Sequence, residues 1–490
     1  MNFVEMMTEK DTLTLNGAVT NSTSHNYNLD LFFLAGACRN VSDDEIGIAL
    51  NNSYLFNREK TLKIIYWACD IRQGAGERRF FKVALNWLYK NHREDFYKYL
   101  NYDPEFSRWD VLFDFDDEKV LDYICENLKQ KNPLLCKWLP RKVIAVDKRR
   151  SVQKDGNTEV KTVTSKKRVL HNALVSKIRK RLGWSPKRYR KTLVKASDTV
   201  EQKMCARKWS EIEYSKVPSV AMNKYNKAWY RNDKERFEKY LEDVKSGKEK
   251  INSSVIFPHD IIKSSIYMSG WSVKILPLNE AQIVQWENLP NWVSSNDFIP
   301  VCDTSGSMFT RGNGVPAQIS LALGLYLSER NTGVFKDAFI TFSDVPTFNY
   351  VHGNLYQRLG QLASAEWGNS TNLLSVFDLI LQKATSVNLP ANEMPKNILV
   401  ISDMEFNECA RLTNYESIKI RYLQAGYNVP NIVFWNVNGR PQNLPVTVNE
   451  RGVALISGAS PSIIKTVLSG EVNPLEVMER VIGGERYNFI

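Results

Sequence analysis

The sequence predicts a multidomain chain of the α plus α/β class: a helical-repeat domain over 1–290, then a doubly wound, Rossmann-like α/β domain over 291–490. Three observations predict it. Before about residue 290, apolar residues recur at three- and four-residue spacing, the period of a helix face. After it, short apolar runs alternate with helical stretches, the pattern of a largely parallel sheet covered on both faces. The length, 490 residues with 43% hydrophobic and 24% charged, allows two or three separate cores.

In the first part, "FFKVALNWLYKNHREDFYKYL" (80–100) puts Phe81, Ala84, Leu85 and Leu88 on one helix face. "DDEKVLDYICENLKQKNPLL" repeats the pattern with Val120, Tyr123 and Ile124. Helices of this length with short turns suggest antiparallel pairs stacked as a solenoid, although no fixed period recurs. "RQGAGER" (72–78) lacks the lysine and spacing of a phosphate-binding loop and reads as a turn in which Glu77 caps a helix. Residues 149–168 carry no apolar period and read as an exposed loop or hairpin.

In the second part "DFIPVCD", "DAFITFS", "NILVISD", "NIVFWNV" and "GVALISG" read as strands. Helices are expected between and after them, at "PAQISLALGLYLSER", opened by Pro316, and at "TNLLSVFDLILQKAT", which carries Leu374, Phe377 and Leu381. Three more are expected at "YESIKIRYLQAGY", "PSIIKTVL" and "PLEVMERVI".

Charge is unevenly placed. From Arg141 to Val200 there are 19 Lys and Arg against 4 Asp and Glu, an excess of +15, so the rest of a chain with net charge +11 carries −4. Such concentration suggests a polyanionic partner, although a solvated lysine-rich surface has the same composition. The candidate nucleic-acid-contacting cations are Arg141, Lys142, Lys148, Arg149, Arg150, Lys166, Lys167, Arg168, Lys177, Lys180, Arg181, Lys187, Arg188, Arg190 and Lys191. Ile178, Leu182 and Trp184 would anchor this segment. Further on, Trp209, Tyr214 and Tyr225 alternate with Arg207, Lys208, Lys216 and Lys224, a mixture that suits stacked bases and equally a packed core.

Several classes are disfavoured. No run approaches 18 apolar residues, so no membrane span is expected, and the first residues are too acidic for a signal peptide. The seven cysteines are scattered without a CxxC pair, and the five histidines stand alone. A zinc site or disulfide framework therefore has little support, and a reduced cytoplasmic setting is expected, the host cytoplasm if the chain is viral.

The chemistry gathers at loops after strands. Asp303 ends the first strand of the sheet domain, with Ser305 and Ser307 following. Thr371 precedes a helix, and Asp403 ends another strand. Ligands of open parallel sheets bind beyond the carboxyl ends of strands, where these loops would meet. Together they would offer only oxygens to a hard cation, Mg²⁺ or another divalent ion such as Mn²⁺ or Ca²⁺, with a position open to an outside donor. Singly, each has an ordinary account: Asp303 as a cap, Thr371 as a helix N-cap, Asp403 as a strand-end turn.

The run "DTSGSM", the threonine of "STN" and the aspartate of "ISDMEF" resemble the metal-ion-dependent adhesion site of von Willebrand factor A domains. The resemblance covers about 296–490 and implies Asp303, Ser305 and Ser307 as first-loop ligands, Thr371 as second and Asp403 as third. In the first part, "LNGAVTNSTSHNYNLDLFF", "DIRQGAGERR", "FSRWDVLF", "LLCKWLPRK" and "MCARKWSEIEYSKVPSVAMNKY" resemble an uncharacterised family of plants, fungi and large viruses. That family is similar to the Ro autoantigen (TROVE) proteins, which join a ring of HEAT-like helical repeats to a von Willebrand A domain and bind RNA. The resemblance implies RNA binding.

The expected function is therefore a non-catalytic, Ro-like RNA-binding scaffold with a Mg²⁺-dependent adhesion site. The alternative is a metal-dependent protein-interaction module whose partner supplies a carboxylate. An Mg²⁺ nuclease is disfavoured, because two-metal sites need several converging carboxylates and this set has two acids among three hydroxyls.

Overall fold

The computed structural model describes residues 11–101, 106, 108–141, 149–154, 157–162, 166–269, 272–293, 298–310, 312–343, 345–365, 371–406, 415–469 and 472–488. By packing, the chain parts into two compact units, one of residues 1–87 with 214–490 and one of residues 88–213. The expected boundary at 290 marks a change of sequence character. Packing draws a different line, because the first helices and those after 214 belong to the same unit as the sheet.

The larger unit is built on a six-stranded sheet. Its order across the sheet is Val453–Ser457, Asn431–Asn436, Asn397–Ser402, Phe298–Asp303, Ala338–Phe342, Phe348–Tyr350. All neighbours run parallel except the last pair. The chain therefore winds outward in one direction from Phe298–Asp303 and in the other from Asn397–Ser402. These two strands are neighbours, and the switch point of this doubly wound, Rossmann-like sheet lies between them. The five expected strands are present. The sixth, Phe348–Tyr350, was not expected, since three residues with two exposed side chains carry no apolar run.

Both Phe298–Asp303 and Asn397–Ser402 are buried along their whole length, as central parallel strands must be. Helix Val315–Arg330, with proline in its first turn, packs against both and against Ala338–Phe342. It buries residues on every side, so its apolar run is continuous rather than striped. Helix Tyr27–Ala35 packs on the outermost strand Val453–Ser457. Gly36 allows that approach: a Cβ there would sit 2.6 Å from the Ser457 carbonyl carbon.

The smaller unit is mostly helical. Its core holds Phe96, Trp109, Ile124, Leu135, Ile178 and Tyr189. Of the expected stripe residues, Phe81, Ala84 and Leu85 of the larger unit and Leu88, Val120 and Ile124 of the smaller are buried, and Tyr123 is half-buried. The run 80–100 forms two helices, Arg78–Asn91 and Arg93–Asn101, separated at His92. Glu77 caps the first, its Oε1 accepting the Arg79 N–H at 3.0 Å. Residues Arg149–Lys154 and Asn157–Thr162 form an antiparallel hairpin. The six described cysteines are unpaired and five of them are buried. Cys409 lies outside the described residues. No described helix is long and apolar enough to cross a membrane.

Candidate functional site

The sheet register fixes the site. Ile401 lies beside Cys302, so Ser402 comes level with Asp303 and Asp403 follows at the same edge of the switch point. Asp303 is fully buried. Its Oδ1 accepts the Ser305 N–H at 2.8 Å, and its Oδ2 accepts the Ser402 hydroxyl. Burial still pushes its carboxyl above the usual range, against those hydrogen bonds.

Asp403 is as deeply buried. Burial pushes its carboxyl up to about 7, the Asp303 charge adds to the rise, and a hydrogen bond from Ser307 opposes it. Its Oδ1 accepts the Glu405 N–H at 3.3 Å, whereas its buried Oδ2 has no hydrogen-bond partner among the described residues. An unmatched buried carboxylate oxygen costs on the order of 1–3 kcal/mol or more. Ser305 and Ser307 hydroxyls lie 3.2 Å apart within the first loop, and the Ser307 hydrogen bond to Asp403 links that loop to the third.

Thr371 is fully buried, and its hydroxyl donates to the Glu405 carbonyl at 3.3 Å. It does not cap the following helix. Asn372 does, accepting the N–H groups of Leu374 and Ser375 at 3.1 and 3.3 Å. The ordinary accounts of Asp303 and Asp403 are each met by a single oxygen, Oδ1, which closes a two-residue turn. All five sequence-chosen residues thus come to one edge.

Among the described residues no group of three or more His, Cys, Asp or Glu comes together as a metal site. The set is accordingly two carboxylates with hydroxyls. Two buried carboxylates, the Asp303 charge raising the proton affinity of Asp403, with one oxygen left unmatched among the described residues, fit a hard divalent cation. Glu405, a third buried acid, is held elsewhere: Arg440 Nε lies 2.7 Å from its Oε1.

Sequence reasoning missed Ser402, Glu405 and Arg440. Glu405 stands two residues after Asp403, but Arg440 and the residues around 15 that also reach it lie far off in the chain. Met404, between the two acids, takes a left-handed backbone at φ 65°, a conformation its surroundings must enforce.

The basic segment lies in the smaller unit on helices Lys166–Leu182 and Pro186–Ser197. Two of the candidates pair with acids, Arg181 with Glu118 and Asp122 and Lys177 with Asp116. Lys180, Lys187, Arg188, Arg190 and Lys191 are exposed and form no ion pair among the described residues, and Arg188 lies over the Trp184 ring at 4.9 Å. Arg141 is exposed as well. Lys142 and Lys148 lie outside the described residues, and the side chains of Arg149, Arg150, Lys166, Lys167 and Arg168 are likewise outside them. Ile178 is fully buried, while Leu182 and Trp184 are half-buried. Tyr214 packs among Trp229, Phe237 and Tyr240, so for that residue the core account holds, while Trp209 and Tyr225 are half-buried.

Fold and site together define a helical chain joined to a doubly wound sheet, with an oxygen-lined site at the sheet's switch point. The profile of a family described as a domain of unknown function, DUF2828, matches residues 14–100 and 116–294, more than half of the chain. The chain belongs to that family. A second domain of unknown function, DUF7788, matches 297–485. The uncharacterized protein L728 of Acanthamoeba polyphaga mimivirus is 28% identical over 96% of this chain and 86% of that protein. Among solved structures, the Ro (RSR) protein of Deinococcus radiodurans is similar with a TM-score of 0.39 and 12% identity, over 94% of this chain and 100% of that one. That likeness is too slight to carry an argument.

Proposed function

We propose that the chain is a non-catalytic binding scaffold whose larger unit holds a Mg²⁺ ion in the manner of a von Willebrand factor A adhesion site. The observation that carries the reading is the buried Asp403 Oδ2, without a partner among the described residues, beside Asp303 and the Ser305–Ser307 hydroxyl pair. Asp303, Ser305, Ser307, Thr371 and Asp403 would hold the ion, and Mn²⁺ or Ca²⁺ could replace it. When bound, the ion supplies positive charge that attracts an outside oxygen, a carboxylate of a partner or a phosphate. With two acids and three hydroxyls the site is suited to holding oxygens rather than to assembling paired cations for hydrolysis.

A second reading belongs to the smaller unit and is compatible with the first: it binds RNA through phosphate contacts. Lys180, Lys187, Arg188, Arg190 and Lys191, exposed and without an ion pair among the described residues, favour it, with Trp184 beside Arg188 as an aromatic neighbour. Purification of the wild type and of Asp303→Ala, with and without chelator, tests both readings. Protein partners lost with Asp303→Ala and with chelator, while co-purified RNA is retained, match the proposal. Partners indifferent to both would refute the adhesion site. Recovery of no RNA would refute the second reading.

A further inference from the structure

The loop that carries Asp403 is gripped by residues remote in sequence. A hairpin, Asp11–Leu13 paired with Val19–Asn21, presents its turn to Met404–Phe406. Thr14 Oγ1 donates to the Phe406 carbonyl at 2.6 Å. The Leu15 N–H donates to Glu405 Oε2 at 2.7 Å, and Asn16 Nδ2 to the Glu405 carbonyl at 2.6 Å. That same carbonyl accepts the Thr371 hydroxyl, so a residue of the site and a residue of the hairpin share one acceptor.

Residues 440–444 brace the loop from another direction. Arg440 Nε donates to Glu405 Oε1 at 2.7 Å, and its Nη2 reaches the Leu13 carbonyl at 3.1 Å. Asn443 Nδ2 donates to the Met404 carbonyl at 3.0 Å. The hairpin is tied to the same segment, since Asn21 and Leu444 exchange both backbone hydrogen bonds at 3.0 Å. Thr20 adds its hydroxyl to the Leu444 carbonyl at 2.8 Å. The result is a closed circuit of hydrogen bonds around the left-handed Met404 and its neighbour Glu405.

We propose that the hairpin 11–21 is a strap that positions the metal site, with Asn16 and Arg440 as its positioning residues. This rests on the metal reading. The strap fixes the carbonyl that orients Thr371 and keeps the Glu405 carboxylate on Arg440 and Leu15, so that Asp303 and Asp403 remain the two acids of the site. Partners of metal ligands hold those ligands in place, and their removal ordinarily lowers metal affinity about 10- to 100-fold. Asn16 is exposed, so its truncation opens no cavity.

The test compares wild type, Asn16→Ala and the distant control Asn473→Ala, which removes a helix cap elsewhere. Amide exchange at Met404–Phe406 is read in metal-free protein, and Mn²⁺ affinity by titration. The strap predicts faster exchange at Met404–Phe406 and Mn²⁺ binding weakened roughly tenfold in Asn16→Ala alone. Unchanged exchange, or faster exchange with Mn²⁺ affinity unchanged, would overturn it. Absence of Mn²⁺ binding in the wild type would refute the metal reading itself, and the strap as its positioning device with it; the exchange data would then still report whether the hairpin orders the loop.

Discussion

The Ser402 hydroxyl donates to Asp303 Oδ2 across the switch point of the sheet, tying the ends of two neighbouring parallel strands. That bond satisfies Asp303 and leaves Asp403, the next residue along, as the acid with an unmatched oxygen. The asymmetry has consequences for stability that can be measured.

The first concerns Asp403→Asn. A carboxyl whose folded pKa is raised to about 7 contributes stability that is fully present below its unfolded value, near 4, and lost as pH rises through about 7. Removing the charge abolishes that loss. In metal-free protein at pH 8, Asp403→Asn should be more stable than wild type by on the order of 1–3 kcal/mol. Its melting temperature should not respond to Mg²⁺, whereas that of wild type should rise. Thermal melts with and without Mg²⁺ check both signs.

His259 behaves oppositely. Burial holds its imidazole down at about 4, helped by the charges of Arg39 and Lys263 and opposed by Asp260, whose Oδ1 lies 3.9 Å away. Below the unfolded value near 6.5 the unfolded chain takes up a proton that the folded chain refuses. Stability should therefore fall between pH 6.5 and 4, by on the order of 3 kcal/mol from this group. Denaturant titrations of wild type and His259→Gln across that range should show a flatter dependence in the variant.

The smaller unit gives a salt-dependent prediction. Each phosphate contact to single-stranded RNA contributes about 0.7 to the slope of log affinity against log salt. Replacing Lys180, Lys187, Arg190 and Lys191 by alanine should flatten that slope by up to about 3. Arg181→Ala should change it little, because Arg181 already pairs with Glu118 and Asp122. Filter binding over a series of salt concentrations separates these variants.

Asp70 tests the packing of the larger unit. It is fully buried and accepts from Arg486 Nε at 2.5 Å, Arg486 Nη2 at 3.1 Å and the Tyr487 hydroxyl at 3.0 Å. Asp70→Ala removes the buried carboxylate that accepts all three of these bonds and should destabilise the protein by about 3–5 kcal/mol. Chemical denaturation checks the size of the loss.

The five ligand candidates were legible in the sequence because each follows an apolar strand or precedes a helix, and such junctions converge at one edge of a parallel sheet. The surroundings were not legible. Arg440 meets Glu405, and Asn16 meets the same residue, through contacts between distant segments that leave no local pattern. Helices such as Arg78–Asn91 could be read from their apolar faces, whereas the edge strand Phe348–Tyr350 could not, being short and half in solvent. Charge composition pointed to the basic segment but not to which cations are neutralised. Arg181 and Lys177 find their acids on elements some sixty residues away.

The central claim is that Asp303, Ser305, Ser307, Thr371 and Asp403 hold a divalent cation. Calorimetric titration of Mg²⁺ into the metal-free protein tests it most directly. Because the ion must displace a proton from Asp403, whose carboxyl titrates near 7, one equivalent should bind at pH 8 and about tenfold more weakly at pH 6. Asp303→Ala should abolish binding at both. Absence of binding at pH 8, or binding that Asp303→Ala leaves intact, would contradict the account.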